Sequence, residues 1–98
     1  MITEVAIIEA QPGQGDAMET ALRGARSVLQ RAEGYVDSAF HRGIEEPDRF
    51  VLVIQWETLA HHLEGFRGGP LFPEWRSHFS YLLAGPPNVT HFTVFSEG

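Results

Sequence analysis

The chain has 98 residues and a mass of 11.0 kDa, enough for one hydrophobic core and too little for two. Apolar residues at 43% and charged residues at 20% exclude a disordered chain, and 7 arginines against 13 acidic residues, for a formal net charge of −6, leave no footprint for nucleic acid or an anionic membrane. The absence of lysine and cysteine removes Schiff bases, the P-loop lysine, thiol nucleophiles, disulfides, iron–sulfur clusters and Cys-ligated zinc.

The start, Met1-Ile2-Thr3-Glu4-Val5-Ala6-Ile7-Ile8-Glu9, lacks the basic and apolar regions of a signal peptide, and no apolar run approaches the roughly 20 residues of a membrane span. These features predict a soluble cytoplasmic protein. The segment from Ile2 to Ala10 reads as a strand, closed by the turn chemistry of Gln11-Pro12-Gly13-Gln14-Gly15. Asp16 is then placed to cap a helix, with Glu19 as its capping-box partner. Met18, Ala21, Leu22, Ala25, Val28, Leu29 and Ala32 recur at helical spacing, and Gly34 marks the stop.

Strands are expected over Tyr35 to Arg42 and Phe50 to Trp56, paired antiparallel across a short turn-rich connection. Thr58 is placed to cap a second helix bearing Leu59, His62, Leu63 and Phe66 on one stripe, broken at Gly68-Gly69-Pro70. A third helical segment carries Leu71, Phe72, Trp75, Phe79, Leu82 and Leu83, and a last strand runs from Val89 to Phe95. No internal repeat or linker divides the chain, so residues 1–98 are expected to form a single domain.

The order strand, helix, strand, strand, broken helix, strand predicts an α+β, ferredoxin-like β-α-β-β-α-β fold with a four-stranded antiparallel sheet. A sheet with one wet face alternates apolar and polar residues. Here Ala6, Ile8 and Ala10 oppose Val5 and Ile7, while Phe50, Leu52, Ile54 and Trp56 oppose Val51 and Val53. Helices cover only one face, so the other calls for a partner, and a second copy packed sheet to sheet is the simplest.

Acid–base chemistry falls to histidine, carboxylate and tyrosine. His62 and His78 lie on or beside apolar stripes, where a half-buried imidazole suits a general base; a core histidine bonded to a carbonyl is the ordinary structural alternative. His61 and His62 point about 100° apart on a helix and do not share one metal, and no H-E-x-x-H or locally spaced ligand set exists. No metal is therefore expected, although His41, His62, His78 and His91 can in principle meet through the fold. The aromatics around the broken helix, Trp56, Phe66, Phe72 and Trp75 with Phe40, serve either as core or as walls of a pocket for a flat apolar ligand. Arg67 and Arg76 beside them either hold a phenolate or enolate oxygen or pair with Glu64 and Glu74 in solvent.

The stretch from Trp56 through His62, Phe66-Arg67, Gly68-Gly69-Pro70 and Phe72-Pro73-Glu74-Trp75-Arg76 resembles the antibiotic biosynthesis monooxygenase domain family, as does the closing Pro87-Asn88-Val89-Thr90-His91-Phe92. The resemblance implies a dimeric α+β barrel in which two such units pack their sheets together. Some members oxygenate polycyclic phenols with neither metal nor flavin, and others degrade haem or isomerise small metabolites. The haem-degrading members use an early-strand Asn and a helical His; Ala6, Ile7 and Ile8 stand near the first place here and Arg76 near the second, which speaks against that activity. The reading is a cofactor-independent monooxygenase for an electron-rich aromatic or quinone-like small molecule. Its base is His62 or His78, its anion stabiliser Arg67 or Arg76, and its pocket Trp56, Phe66, Phe72, Trp75, Phe40 and His91. A non-catalytic dimer that binds a small hydrophobic ligand is the alternative.

Overall fold

A computed structural model describes all residues from Met1 to Gly98. Strand β1 (Ile2–Glu9) leads into helix α1 (Gly15–Gln30), followed by β2 (Tyr35–Arg42) and β3 (Arg49–Trp56). A π-helical segment (His61–Phe66), a short helix α2 (Leu71–Ser77) and a 3₁₀ turn (Ser80–Leu82) precede β4 (Asn88–Phe92). The four strands form one antiparallel sheet in the order β2-β3-β1-β4, the ferredoxin-like arrangement expected. No helix is long and apolar enough to cross a membrane.

Period-two alternation decides the layers. Ala6, Ile8, Leu52, Ile54 and Trp56 are buried beneath the helices, and α1 answers with Met18, Leu22, Ala25, Val28 and Leu29 on one stripe. The opposite face pairs Val5 with Val53 and Ile7 with Val51, with Ala39 of β2 beside Val53. The four β1 and β3 residues are only partly buried and Ala39 is exposed, and no element of the chain covers them.

Three local expectations are corrected. Helix α1 begins at Gly15, and Asp16 points into solvent toward Arg42 instead of capping. Its cap is remote: Asp48, in the β2–β3 connection, accepts the Gly13 and Gly15 backbone N–H groups at 3.0 and 2.9 Å. The stripe on the second helix also fails, because the segment is π-wound, with the Arg67 N–H donating to the His62 carbonyl at 2.9 Å. The wider turn buries His62 and Phe66 and leaves Leu59 and Leu63 exposed. Finally, β4 ends at Phe92, and Val94 and Phe95 stand in solvent because β1, its one partner, ends in the pairing of Thr3 with Phe92.

One expected stop is displaced and one expected cap is present. Helix α1 ends at Gln30 with Arg31 as a right-handed C-cap, and Gly34, with φ of +84°, instead shapes the turn into β2, where a Cβ would strike the His61 ring. Thr58 accepts the His61 N–H at 3.2 Å.

Candidate functional site

Sheet register builds one wall of the site. Glu4 shares the inward parity of Ala6 and Ile8, so a carboxyl group faces the core. On its one side β4 sets His91 directly opposite, and on the other β3 sets Trp56 diagonally across. The π segment lowers His62 onto this face from above. Trp56 donates its indole N–H to Glu4 Oε1 at 2.9 Å, and His62 Nε2 lies 3.2 Å from the same oxygen. His62 Nδ1 in turn lies 2.7 Å from His91 Nε2. The His62 ring stacks on Trp56 with centroids 5.2 Å apart.

Burial sets the electrostatics of this row. Only 6% of Glu4 and 2% of His62 reaches solvent. Burial drives the Glu4 carboxyl up from 4.5 to about 7, against the pull of the Trp56 hydrogen bond and of Arg67. It drives His62 down from 6.5 to about 4, helped by His91 and Arg67. His91 is lowered by burial and by Arg67. Near neutral pH the row thus holds two uncharged imidazoles and a carboxyl close to its midpoint.

A cavity of about 80 Å³ opens between this face and the broken helix. Glu4 and His62 line it together with Phe66, Phe72, Trp75, Arg67 and Arg76. Each guanidinium lies 5.9 Å from the centre of the Phe72 ring. Glu74 pairs with Arg31, not with Arg76, whose Nε is buried without any hydrogen-bond partner. Glu4 Oε2 likewise makes no hydrogen bond within the protein, both contacts being to Oε1. The cavity therefore brings a titratable acceptor and two arginines together within aromatic walls, an arrangement suited to taking a proton and stabilising the anion left behind.

Of the residues singled out from sequence, His62, Arg67, Arg76, Phe66, Phe72 and Trp75 meet at this cavity. Trp56 is fully buried behind it, and His91 joins through His62. Phe40 faces an open groove between α1 and β2, beneath the Arg26 guanidinium at 4.2 Å. His78 stands beside Gly24 of α1, because α2 stops at Ser77 and the chain tightens into the 3₁₀ turn. His62 turns its two ring nitrogens to Glu4 and His91 on opposite edges, so the three side chains do not converge on one point. No group of three His, Asp or Glu side chains has metal-binding geometry. Sequence reasoning missed Glu4, whose signal was its inward parity in an apolar strand.

The description antibiotic biosynthesis monooxygenase belongs to the family model that matches residues 1–77, and the chain belongs to that family. It is 32% identical over 92 residues to the uncharacterized protein YczJ of Bacillus subtilis (strain 168), covering 94% of this chain and 97% of that one. A candidate antibiotic biosynthesis monooxygenase from Bordetella bronchiseptica superposes with a TM-score of 0.92 at 39% identity, over 97% of each chain. SnoaB from Streptomyces nogalater, a cofactor-independent oxygenase, superposes with a TM-score of 0.81 over 98% of this chain and 94% of its own. At 16% identity, that likeness is one of fold.

Proposed function

We propose that this member of the antibiotic biosynthesis monooxygenase family is a cofactor-independent monooxygenase for a small electron-rich phenol or hydroquinone. The observation that carries the reading is the buried Glu4 carboxyl, pushed up to about 7, with no hydrogen bond to Oε2, in an aromatic cavity that Arg67 and Arg76 also line. A base with its midpoint near working pH is the efficient choice for proton abstraction. His62, held down near 4, lies beside Glu4 with its Nε2 3.2 Å from Oε1.

Glu4 takes the phenolic proton, and Arg76 and Arg67 stabilise the phenolate. The electron-rich anion reacts with dioxygen at a ring C–H carbon to give a ring hydroperoxide. Loss of water from it leaves a quinone: one oxygen atom enters the ring, the other leaves as water, and the substrate supplies all the electrons. SnoaB, a cofactor-independent oxygenase of the same fold, supports this class of chemistry. The cavity is about half the ~150 Å³ that admits benzene in an engineered core, so ring entry requires Arg67, which is exposed, to swing aside. His78, outside the cavity, is the fallback base.

The uncovered sheet face supports a homodimer built around Val5, Ile7, Val51 and Val53, with the sheets packed together. The test of function is dioxygen uptake with a panel of phenols and hydroquinones. Turnover that falls by about 10²–10⁴ in Glu4→Gln supports the reading. Saturable binding without uptake, unchanged in Glu4→Gln, instead makes the protein a non-catalytic carrier of small aromatic ligands.

A further inference from the structure

We propose that Glu4, His62 and His91 form a proton path from the cavity to solvent, with His91 as the exit on β4. This rests on the reading of Glu4 as the base, and extends it to how the buried carboxyl exchanges its proton with solvent and reaches the ionised form. The three groups are joined by two contacts, 3.2 Å from Glu4 Oε1 to His62 Nε2 and 2.7 Å from His62 Nδ1 to His91 Nε2. His91 is half-buried on the edge strand, and its Nδ1 makes no hydrogen bond within the protein, yet it is not among the sealed, unpartnered atoms. One end of the row therefore meets the cavity and the other meets water.

Turnover itself is proton-neutral, because the ring peroxide takes back the proton that Glu4 removed; the path serves the resting protein, where a buried Glu4 must first lose its proton to become a base. A carboxyl that has taken a proton on Oε2 turns about its Cγ–Cδ bond, a soft two-fold torsion, and presents that proton to His62. Glu4 then gives it to His62 Nε2, His62 gives its Nδ1 proton to His91 Nε2, and His91 gives its Nδ1 proton to water. One proton leaves, both imidazoles end neutral, and each has exchanged one tautomer for the other. After discharge both rings carry hydrogen on Nε2, and Glu4 Oε1 accepts from His62 and Trp56. With Glu4 protonated, both rings carry it on Nδ1. No imidazolium persists at either end of the sequence, which suits a site where burial opposes one.

The charged groups facing this row are few. Arg67 comes from the π segment and Arg76 from α2, while β3 contributes the non-titrating Trp56 and α1 only Leu29. Tautomer exchange within the row is thus governed by Glu4 itself.

The test reads tautomers directly, by nitrogen-15 NMR of the histidine side chains in the intact protein between pH 5.5 and 8.5 (a working range of about three units around neutrality). The expected result is that His62 and His91 both pass from the Nδ1–H to the Nε2–H form in one step, coincident with Glu4 ionisation followed by carboxyl carbon-13 shift. In Glu4→Gln both tautomers should be frozen. Fixed tautomers across that range in the wild-type protein, or exchange at His62 without His91, would overturn the path. In His91→Gln the His62 tautomer should no longer switch with Glu4 ionisation; an unchanged switch at His62 in that variant would also overturn the path. If a hydroquinone is not turned over at all, the oxygenase reading fails while the tautomer measurement still decides the path.

Discussion

The Glu4–His62 pair makes a quantitative prediction about stability. In the folded protein at mildly acid pH, the proton sits on Glu4 and His62 is neutral; in the unfolded chain Glu4 is ionised and His62 is charged. Consider each group alone. Glu4 moves from 4.5 to about 7 on folding, so its favourable contribution is complete below pH 4.5 and is lost as pH rises through 7. At about 1.4 kcal/mol per pH unit, the loss is about 3 kcal/mol. His62 moves from 6.5 to about 4, so its contribution is complete above pH 6.5 and is lost as pH falls through 4. The same arithmetic, discounted for the water that reaches neighbouring His91, gives about 2 kcal/mol.

The two slopes oppose each other. Between about pH 4.5 and 6.5 the pair binds one proton in either state, so its net contribution to the slope is near zero. Single substitutions unmask each half. Glu4→Gln removes the carboxyl's contribution, so its stability relative to wild type should rise by about 3 kcal/mol from pH 4.5 to 7. His62→Gln removes the imidazole's contribution, so its relative stability should fall by about 2 kcal/mol from pH 4 to 6.5. Urea unfolding followed by fluorescence of the buried Trp56 and Trp75 measures both, at one protein concentration so that association cancels. With a slope of ~1–3 kcal/mol per molar urea, the midpoints move by about 1–3 M, well outside error. Two variant profiles that run parallel to wild type would refute the placement of the proton.

Three further outcomes follow from the geometry. Trp56→Phe removes the indole N–H that holds Glu4 toward its ionised form, so carboxyl carbon-13 titration should place Glu4 still higher than in wild type. Asp48→Ala leaves the Gly13 and Gly15 N–H groups uncapped and should cost about 1 kcal/mol in chemical denaturation. Val53→Glu places a charge at the middle of the uncovered sheet face; if that face forms the proposed dimer, sedimentation should show a dimer for the wild type and a monomer for the variant, with unchanged far-ultraviolet circular dichroism.

Legibility in the sequence followed the range of the interaction. Alternation in β1 and β3 is a property of neighbouring residues, so the layers and the two-faced sheet could be read from it. The turn at Gly34 and the Thr58 cap are equally local. The α1 cap was not, because Asp48 reaches the helix from 33 residues away. The π winding escaped because α and π segments share the same residue types, and only the hydrogen bond from Arg67 to His62 separates them. Glu4 carried a legible half-signal in its inward parity. What made it chemistry was Trp56, 52 residues distant, and no local spacing reports that. His62 was found through family resemblance and helical position, whereas its bond to His91 depended on the β1–β4 register.

Several departures from ordinary folding rules fall at one place. A carboxyl group is buried where Leu or Val would pack without electrostatic cost, and an imidazole is buried against it. The helix above them is π-wound, and Arg76 Nε, buried nearby, has no partner. Replacing a buried polar pair by apolar side chains is often neutral or stabilising, so stability alone gives no reason to keep Glu4 and His62. Unsatisfied buried donors cost about 1–3 kcal/mol and are rare in well-packed interiors. Scattered over the molecule, such features would be accidents of a small fold. Here Glu4, His62 and Arg76 line a single cavity of about 80 Å³, walled by aromatics, at the break in the second helical segment. Their coincidence is the physical argument for a chemical site: the free energy given up locally is what holds a carboxyl close to its midpoint and a cationic donor ready for a substrate that loses a proton.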